Sequence, residues 1–241
     1  MDNTMPIRVL ASGGFRAAYL ALAPGFEQDS GHKVESIWGG SMGSAPTTIP
    51  NRLQRGEVYD VLIMARDGLD ELIREGKVAP GSRVDLARSM IGVAVRAGAA
   101  RPDISSVDAL KRALAQAQSV AYSSSASGVY LKGMFERLGL GEMMKSKGRQ
   151  VSGEPVGAFL ARGEVELGFQ QISELLPVEG ISFVGPLPAE VQEVTVFSGG
   201  IGIQSPQPQA ARALLQYLTA PSNAAAIRTS GMVPVQAPGA R

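Results

Sequence analysis

Four short runs of small residues stand where a chain can hold an anion: Ser12-Gly13-Gly14, Ser41-Met42-Gly43-Ser44, Ser125-Ala126-Ser127-Gly128 and Gly153-Glu154-Pro155-Val156. Each is read as following a strand and opening a helix. A helix start presents unpaired amides and about half a positive charge, and glycine lets a ligand approach the backbone closely. Four such ends directed at one point would bind a polyanion without lysines. Ser and Gly are also ordinary capping and turn residues, which is the plainer reading of any single cluster. Their shared place at strand carboxyl ends, where open α/β sheets bind ligands, favours a site.

Other candidates lie at the same rim. Arg66 follows the apolar run Val61 to Met64 and can fork onto a carboxylate; its plainer reading is a salt bridge to Asp67 or Asp70. Gln170 and Gln171 end a matching strand in the second half of the chain and offer amide groups, although a regular strand turns at least one of them outward. Glu154, at a predicted helix start, is the candidate for moving a proton. The helix field should lower its pKa and make it a poorer base unless burial compensates, and simple helix-end charge is its plainer role. Tyr122, Ser124 and Lys132 are the alternatives.

Other chemistries find little support. Cysteine is absent and His32, between Gly31 and Lys33, is the single histidine, read as solvated surface. No metal site, Ser-His triad or cofactor is therefore expected. No Gly-x-Gly-x-x-Gly run follows the first strand and no phosphate-type loop ends in Gly-Lys-Ser/Thr. Charged residues make up 19% of 241 with a net charge of +1, so no global field draws the chain to nucleic acid or a membrane surface. The groups Lys145, Lys147, Arg149 and Arg52 with Arg55 read as solvated faces. No apolar run approaches the roughly 20 residues that span a bilayer. The start, Met1 to Arg8, lacks the basic and apolar stretches of a secretion signal; the expected location is the periplasm if a signal has been removed and the cytoplasm otherwise.

The elements that must position these residues read as an alternation of strands and helices. Ile7 to Ala11 is a strand, followed by a helix from Phe15 to about Gln28 with Ala18, Leu22 and Phe26 on one face, stopped by Gly31. Val34 to Trp38 is a strand; a helix then runs from the Gly39 to Gly43 turn toward Arg55, with Pro50 expected to kink it. Val61 to Met64 suits a strand buried on both faces, and Leu69 to Arg74 a short helix. Met90 to Val95 reads as a strand leaving the first lobe. The segment Arg101 to Asp108 opens a capped helix to about Gln118. Then follow the strand Val120 to Tyr122, a helix from Val129 to Leu138, a helix beginning near Pro155, strands at Leu167 to Gln170 and Ile181 to Val184, and a return crossing within Val194 to Ile203. Helices around Pro208 to Leu218 and Pro221 to Ser230 close the chain.

The chain also repeats itself. Val9 to Leu20 is echoed by Val120 to Leu131, and Arg55-Gly56-Glu57 before a strand is echoed by Arg162-Gly163-Glu164 before another. The expected architecture is α/β, with lobe 1 formed by 1–87 and 197–241, lobe 2 by 88–196, and an anion-binding cleft between them.

The Ser125 to Leu131 run, the Arg162 to Gln170 element and Gly40 to Ser44 together resemble the periplasmic molybdate-binding-protein-like family, over essentially the whole chain. The resemblance implies the type II periplasmic-binding-protein fold, two α/β lobes joined by two crossing strands. It maps ligand contacts onto Ser12, the Ser41-Met42 region, Ser125 or Ala126, Val156 and Gln171. A molybdate binder typically has Tyr where this chain has Gln171, and Arg66 stands nearby; both departures point away from a small tetrahedral oxyanion. The texture is nearer to an isomerase branch of the same family. That implies interconversion of cis- and trans-aconitate by a 1,3-proton shift on a bound tricarboxylate. The alternative is a non-catalytic solute-binding protein of an ABC-type transporter that binds a molybdate-like oxyanion or organic acid. The expected partner is a small carboxylate or oxyanion, with a transporter only on the alternative, and neither nucleic acid nor membrane insertion.

Overall fold

The computed structural model describes residues 5–235; residues 1–4, within the start considered above for a secretion signal, and 236–241, the end of the expected first lobe, lie outside them. In chain order the first elements are β1 (Ile7–Ser12), α1 (Gly13–Ser30), β2 (Val34–Gly39), α2 (Ile49–Gln54), β3 (Val61–Ala65), α3 (Arg66–Arg74) and β4 (Val84–Arg96). Next come α4 (Val107–Gln116), β5 (Val120–Ser123), α5 (Ala126–Arg137), α6 (Gly141–Lys147), β6 (Gly148–Val151), α7 (Val156–Ala161), β7 (Leu167–Gln171), α8 (Ile172–Leu175) and β8 (Ile181–Pro186). The last are β9 (Val194–Ile201), α9 (Pro208–Leu218), α10 (Ala224–Thr229) and β10 (Val233–Pro234). The chain divides into two compact units, Met1–Arg88 with Val196–Arg241, and Ser89–Thr195.

In the first unit β2, β1 and β3 run parallel, β9 lies antiparallel to β3, and β10 pairs with the start of β4. The two-residue period of a strand sorts the core. Ile7, Val9 and Ala11 of β1, with Val61 and Ile63 of β3, pack against α1, α9 and α10. Leu10, Leu62 and Met64 face the other way and pack against Ile49 of α2 and Leu69 and Leu72 of α3. Helices thus cover both faces, which is why β3 is an unbroken apolar run. Gly31 closes α1 in the left-handed region at φ 74°, its N–H bonded to the Glu27 carbonyl.

The second unit has the same plan. β6, β5 and β7 run parallel, and the latter part of β4 lies antiparallel to both β7 and β8. Val120 and Tyr122 of β5 join one apolar cluster with Leu131, Met134 and Phe135, whereas Ala121 joins another with Val156, Leu160 and Leu175. The Ser106 hydroxyl accepts the Ala109 N–H and caps α4, as its sequence signature leads one to expect. The Arg-Gly-Glu echo also has one structural meaning. Gly56 after α2 and Gly163 after α7 both turn the chain at positive φ, 80° and 73°. The glutamate that follows each accepts from the arginine that precedes it.

Four sequence expectations change. No helix follows Gly43 directly; residues 41–48 form an irregular loop and α2 begins at Ile49, so Pro50 sits in the first helical turn, where its missing N–H is harmless, and kinks nothing. The second cluster is therefore not a helix N-terminus. The stretch containing Lys145 and Arg149 forms α6 and the edge strand β6, which periodicity missed because only Val151 of β6 is buried. His32 is half-buried and stacks on Phe26, with ring centroids 6.3 Å apart. Pro221–Asn223 is a tight turn ahead of α10, not part of it. Among the described residues no helix is long and apolar enough to cross a membrane, and no cluster of three His, Asp or Glu is placed to hold a metal.

Candidate functional site

In the first unit the candidate residues gather at the carboxyl ends of the parallel strands. Ser12 ends β1 and forms the N-cap of α1 with extended backbone; it is buried, and its hydroxyl makes no capping bond. Gly13 opens the helix. Gly14 has a packing reason, since a Cβ there would lie 2.1 Å from Cζ of Phe197. Ser41, fully buried, accepts the Ala65 N–H at 3.0 Å and pins its loop to the end of β3. Met42 is half-buried, and Gly43 is exposed with φ 108°, a left-handed conformation that favours glycine.

Arg66 is the first residue of α3. Its guanidinium stands 3.9 Å from both Asp67 and Asp85, beyond hydrogen-bond reach, and its side chain is 43% exposed. Asp70, one of its two expected partners, is instead taken by Arg83 at 2.6 Å. Asp85 accepts the Ser198 hydroxyl at 2.6 Å. Arg66 thus keeps its fork of donors available. A second cation was missed by sequence reasoning. Arg16, in the first turns of α1, is exposed, lies 4.9 Å above the Trp38 ring at the end of β2, and makes no ion pair among the described residues. The signal was an arginine four residues after Ser12 with no acid in the first turn.

In the second unit the turn between β5 and α5 is built from its own serines. The Ser123 and Ser127 hydroxyls are 3.1 Å apart, the Ser125 N–H donates to Ser123 Oγ, and the Ser124 N–H donates to the Val151 carbonyl. A Cβ on Gly128 would stand 1.5 Å from the Ser123 carbonyl oxygen. Ser127 and Gly128, expected as ligand contacts, therefore serve the turn itself: Ser127 is buried in it and Gly128 permits the close approach of helix and strand. Ser124 and Ser125 stay half-buried, with Ser125 as the N-cap of α5.

The fourth cluster is corrected at Val156 and at Glu154, and Gln170 with it. The Val156 N–H, expected to face a ligand, donates to Oε1 of Gln170 at 2.8 Å. Gln170 is thereby occupied too. Glu154 is exposed and held by Arg162 through two contacts of 2.9 and 3.0 Å, and that guanidinium keeps its carboxyl below the usual range. A paired, solvated carboxylate of lowered pKa is a weak base, so the structure does not support Glu154 as the proton carrier. Lys132 is exposed, and burial pushes the Tyr122 phenol up, which also makes it a poor proton donor at neutral pH.

Neither glutamine turns outward: Gln170 is 4% and Gln171 2% exposed, because packed chain covers both faces of β7. Gln171 donates its amide to Thr195 at 2.9 Å, and its buried Oε1 has no partner among the described residues. Three residues on stands Glu174, which sequence reasoning overlooked. It is half-buried in α8 and makes no ion pair among the described residues. Burial pushes its carboxyl up to about 7. The available sequence signal was a lone acid directly after a strand end that offers candidate donors.

The helix ends have a common electrostatic feature. α1, α5 and α7 carry no acid in their first turn, whereas Asp108 occupies that of α4. An acid there is normally stabilising, so its omission leaves positive ends to be complemented by something else. Each unit by itself offers groups suited to an anion: hydroxyls, a positive helix end and guanidinium forks in the first, and hydroxyls at a positive helix end in the second.

The chain has known relatives. The chain is 50% identical over 232 residues to aconitate isomerase from a Pseudomonas species, covering 96% of this chain and 88% of that protein. It is 29% identical over 234 residues to the molybdate-binding protein ModA of Azotobacter vinelandii, covering 93% and 88%. The solved periplasmic molybdate-binding protein of Azotobacter vinelandii superposes with a TM-score of 0.78 at 22% identity, over 95% of this chain and all of that one, and shows the type II periplasmic-binding-protein fold. A profile of the bacterial extracellular solute-binding proteins matches residues 7–233, and the chain belongs to that family.

Proposed function

We propose that this protein is an isomerase that interconverts cis- and trans-aconitate. The observation that carries the reading is the 50% identity with aconitate isomerase across nearly the full length of both chains. The local chemistry supports it. Isomerisation moves one proton from the methylene carbon to the vinyl carbon of an allylic tricarboxylate, through an enediolate whose charge must be held. In the first unit Arg66 and Arg16 offer guanidinium groups for carboxylates beside Ser12 and the α1 N-terminus; the second unit by itself offers Ser124, Ser125 and the α5 N-terminus as donors for negative charge. Gln171, held by Thr195, has an acceptor that selects a ligand with a donor, such as a protonated carboxyl or a bound water.

The test is direct. Purified protein incubated with cis-aconitate is followed for trans-aconitate by chromatography; conversion above a protein-free control is expected, and its absence removes the reading. A non-catalytic binding role is favoured by the 29% identity to ModA. It predicts a raised melting temperature with molybdate, citrate or an aconitate and no turnover, since a ligand selective for the folded state stabilises it.

A further inference from the structure

A tricarboxylate must be held at several points, and in the first unit one holding group comes with a support of its own. We infer that Trp38 is a positioning residue: its ring holds the Arg16 guanidinium beside the end of β1, where Arg16 takes one carboxylate of the substrate. The identity of that anion rests on the isomerase reading; the placement of Arg16 does not.

Two periodicities set the placement. Ser36 and Trp38 lie two apart in β2 and share a face of the strand, while Arg16 and Tyr19 lie three apart in α1 and share a side of the helix. These two surfaces meet. The Ser36 hydroxyl donates to the Tyr19 phenol oxygen at 2.9 Å, and the fully buried Tyr19 ring meets the Trp38 ring edge to face with centroids 5.7 Å apart. The Arg16 guanidinium carbon lies over the Trp38 ring, 4.9 Å from its centroid. In the parallel register of β1 and β2, Trp38 stands opposite Ala11 and Gly39 opposite Ser12, so the ring is one residue from the strand end that carries Ser12.

The charge of Arg16 is left for a ligand. It has no ion pair among the described residues, and acids of the same two elements are engaged elsewhere: Glu27 with Lys33 and the Val34 N–H at the far end of α1, and Glu35 with Arg8. The first turn of α1 carries no acid, and the hydroxyl of its N-cap Ser12, 4% exposed, makes no capping bond. A cation at the positive end of a helix has the unfavourable sign, and an anion bound there relieves it. The ring occupies one face of the guanidinium and leaves the in-plane N–H fork for a planar carboxylate. It also restricts a long side chain that would otherwise lose rotamer freedom on binding.

Trp38 is the single tryptophan, so intrinsic fluorescence reports this one place. Titrating wild type with trans-aconitate should change that fluorescence saturably. R16A should need about 10- to 100-fold more ligand, the range of a charge-assisted bond, and should raise KM by as much with little change in kcat, because the contact holds ground and transition states alike. R16K keeps the charge without the fork and should recover only part of the loss. W38L should raise KM about two- to fivefold, the worth of an exposed cation–π contact, with W38F between it and wild type and kcat unchanged in both. A silent titration in wild type, R16A within about threefold of wild type, or an unchanged KM in both Trp38 variants overturns the inference. A wild type that converts no aconitate removes the isomerase reading alone; the fluorescence titrations, with ligand-induced melting shifts for the Trp38 variants, then decide the inference by the same limits.

Discussion

Two glycines five residues apart in α5 should respond to alanine in opposite directions. At Gly133, in the helix interior, the nearest atom to a new Cβ is the flexible tip of Arg137 at 3.3 Å, so alanine fits and removes the glycine penalty. The expected gain is about 0.5–1 kcal/mol. At Gly128 the same methyl would sit 1.5 Å from the Ser123 carbonyl oxygen, and 3.5 Å from the Ser123 Cα. No rotamer relieves this, because both partners are backbone. The start of α5 must move about 2 Å from β5, with overpacking of about 3 kcal/mol or more. The difference between the variants is then about 4 kcal/mol, or roughly 8–16 °C in melting temperature for a chain of this size. Urea denaturation followed by circular dichroism measures both. Variants within 1 kcal/mol of each other would refute the claim that Gly128 holds the Ser124-Ser125 turn by close approach.

Other outcomes follow from single side chains. Arg66→Ala should raise KM for an aconitate about 10- to 100-fold, in line with charge-assisted bonds. Its urea midpoint should hardly change, because its ion pairs are 3.9 Å long and exposed; a large midpoint loss would make Arg66 structural. Asp60 is 2% exposed and accepts from the Arg8 N–H, Ser205 and Gln207, so Asp60→Ala leaves several buried donors unpaired. It should cost about 3 kcal/mol in denaturant melts, and a neutral result would contradict the network. Glu174, raised from 4.5 to about 7 in the folded chain, binds more protons folded than unfolded, so its contribution to stability is fully present below pH 4.5 and is lost as pH rises through about 7. The full shift corresponds to about 3 kcal/mol, which solvent contact trims to about 1–2. Stability against pH should therefore slope downward in wild type over that window relative to E174Q, and parallel curves would count against a raised pKa.

Much of the fold was legible because both sheets are covered on two faces. That makes β3 read as an apolar run, and glycines such as Gly31 and Gly56 mark the turns where left-handed backbone is required. What was missed depends on tertiary context. β6 is an edge strand with polar residues, and the loop before α2 looks helical until the Ser41 bond to Ala65 is seen. The site was legible at the level of clusters but not of single atoms. Sequence could mark Val156 and Gln170 as candidates, yet could not show that they satisfy each other, or that Arg162 neutralises Glu154 while Glu174 has no ion pair among the described residues.

The most direct measurement is conversion itself, with purified protein and cis-aconitate in buffer at neutral pH, followed by proton NMR in real time. The account predicts trans-aconitate growing to an equilibrium mixture that is also reached from the trans side. A melting temperature raised by aconitate with no change in the spectrum over hours would contradict it and leave a binding protein.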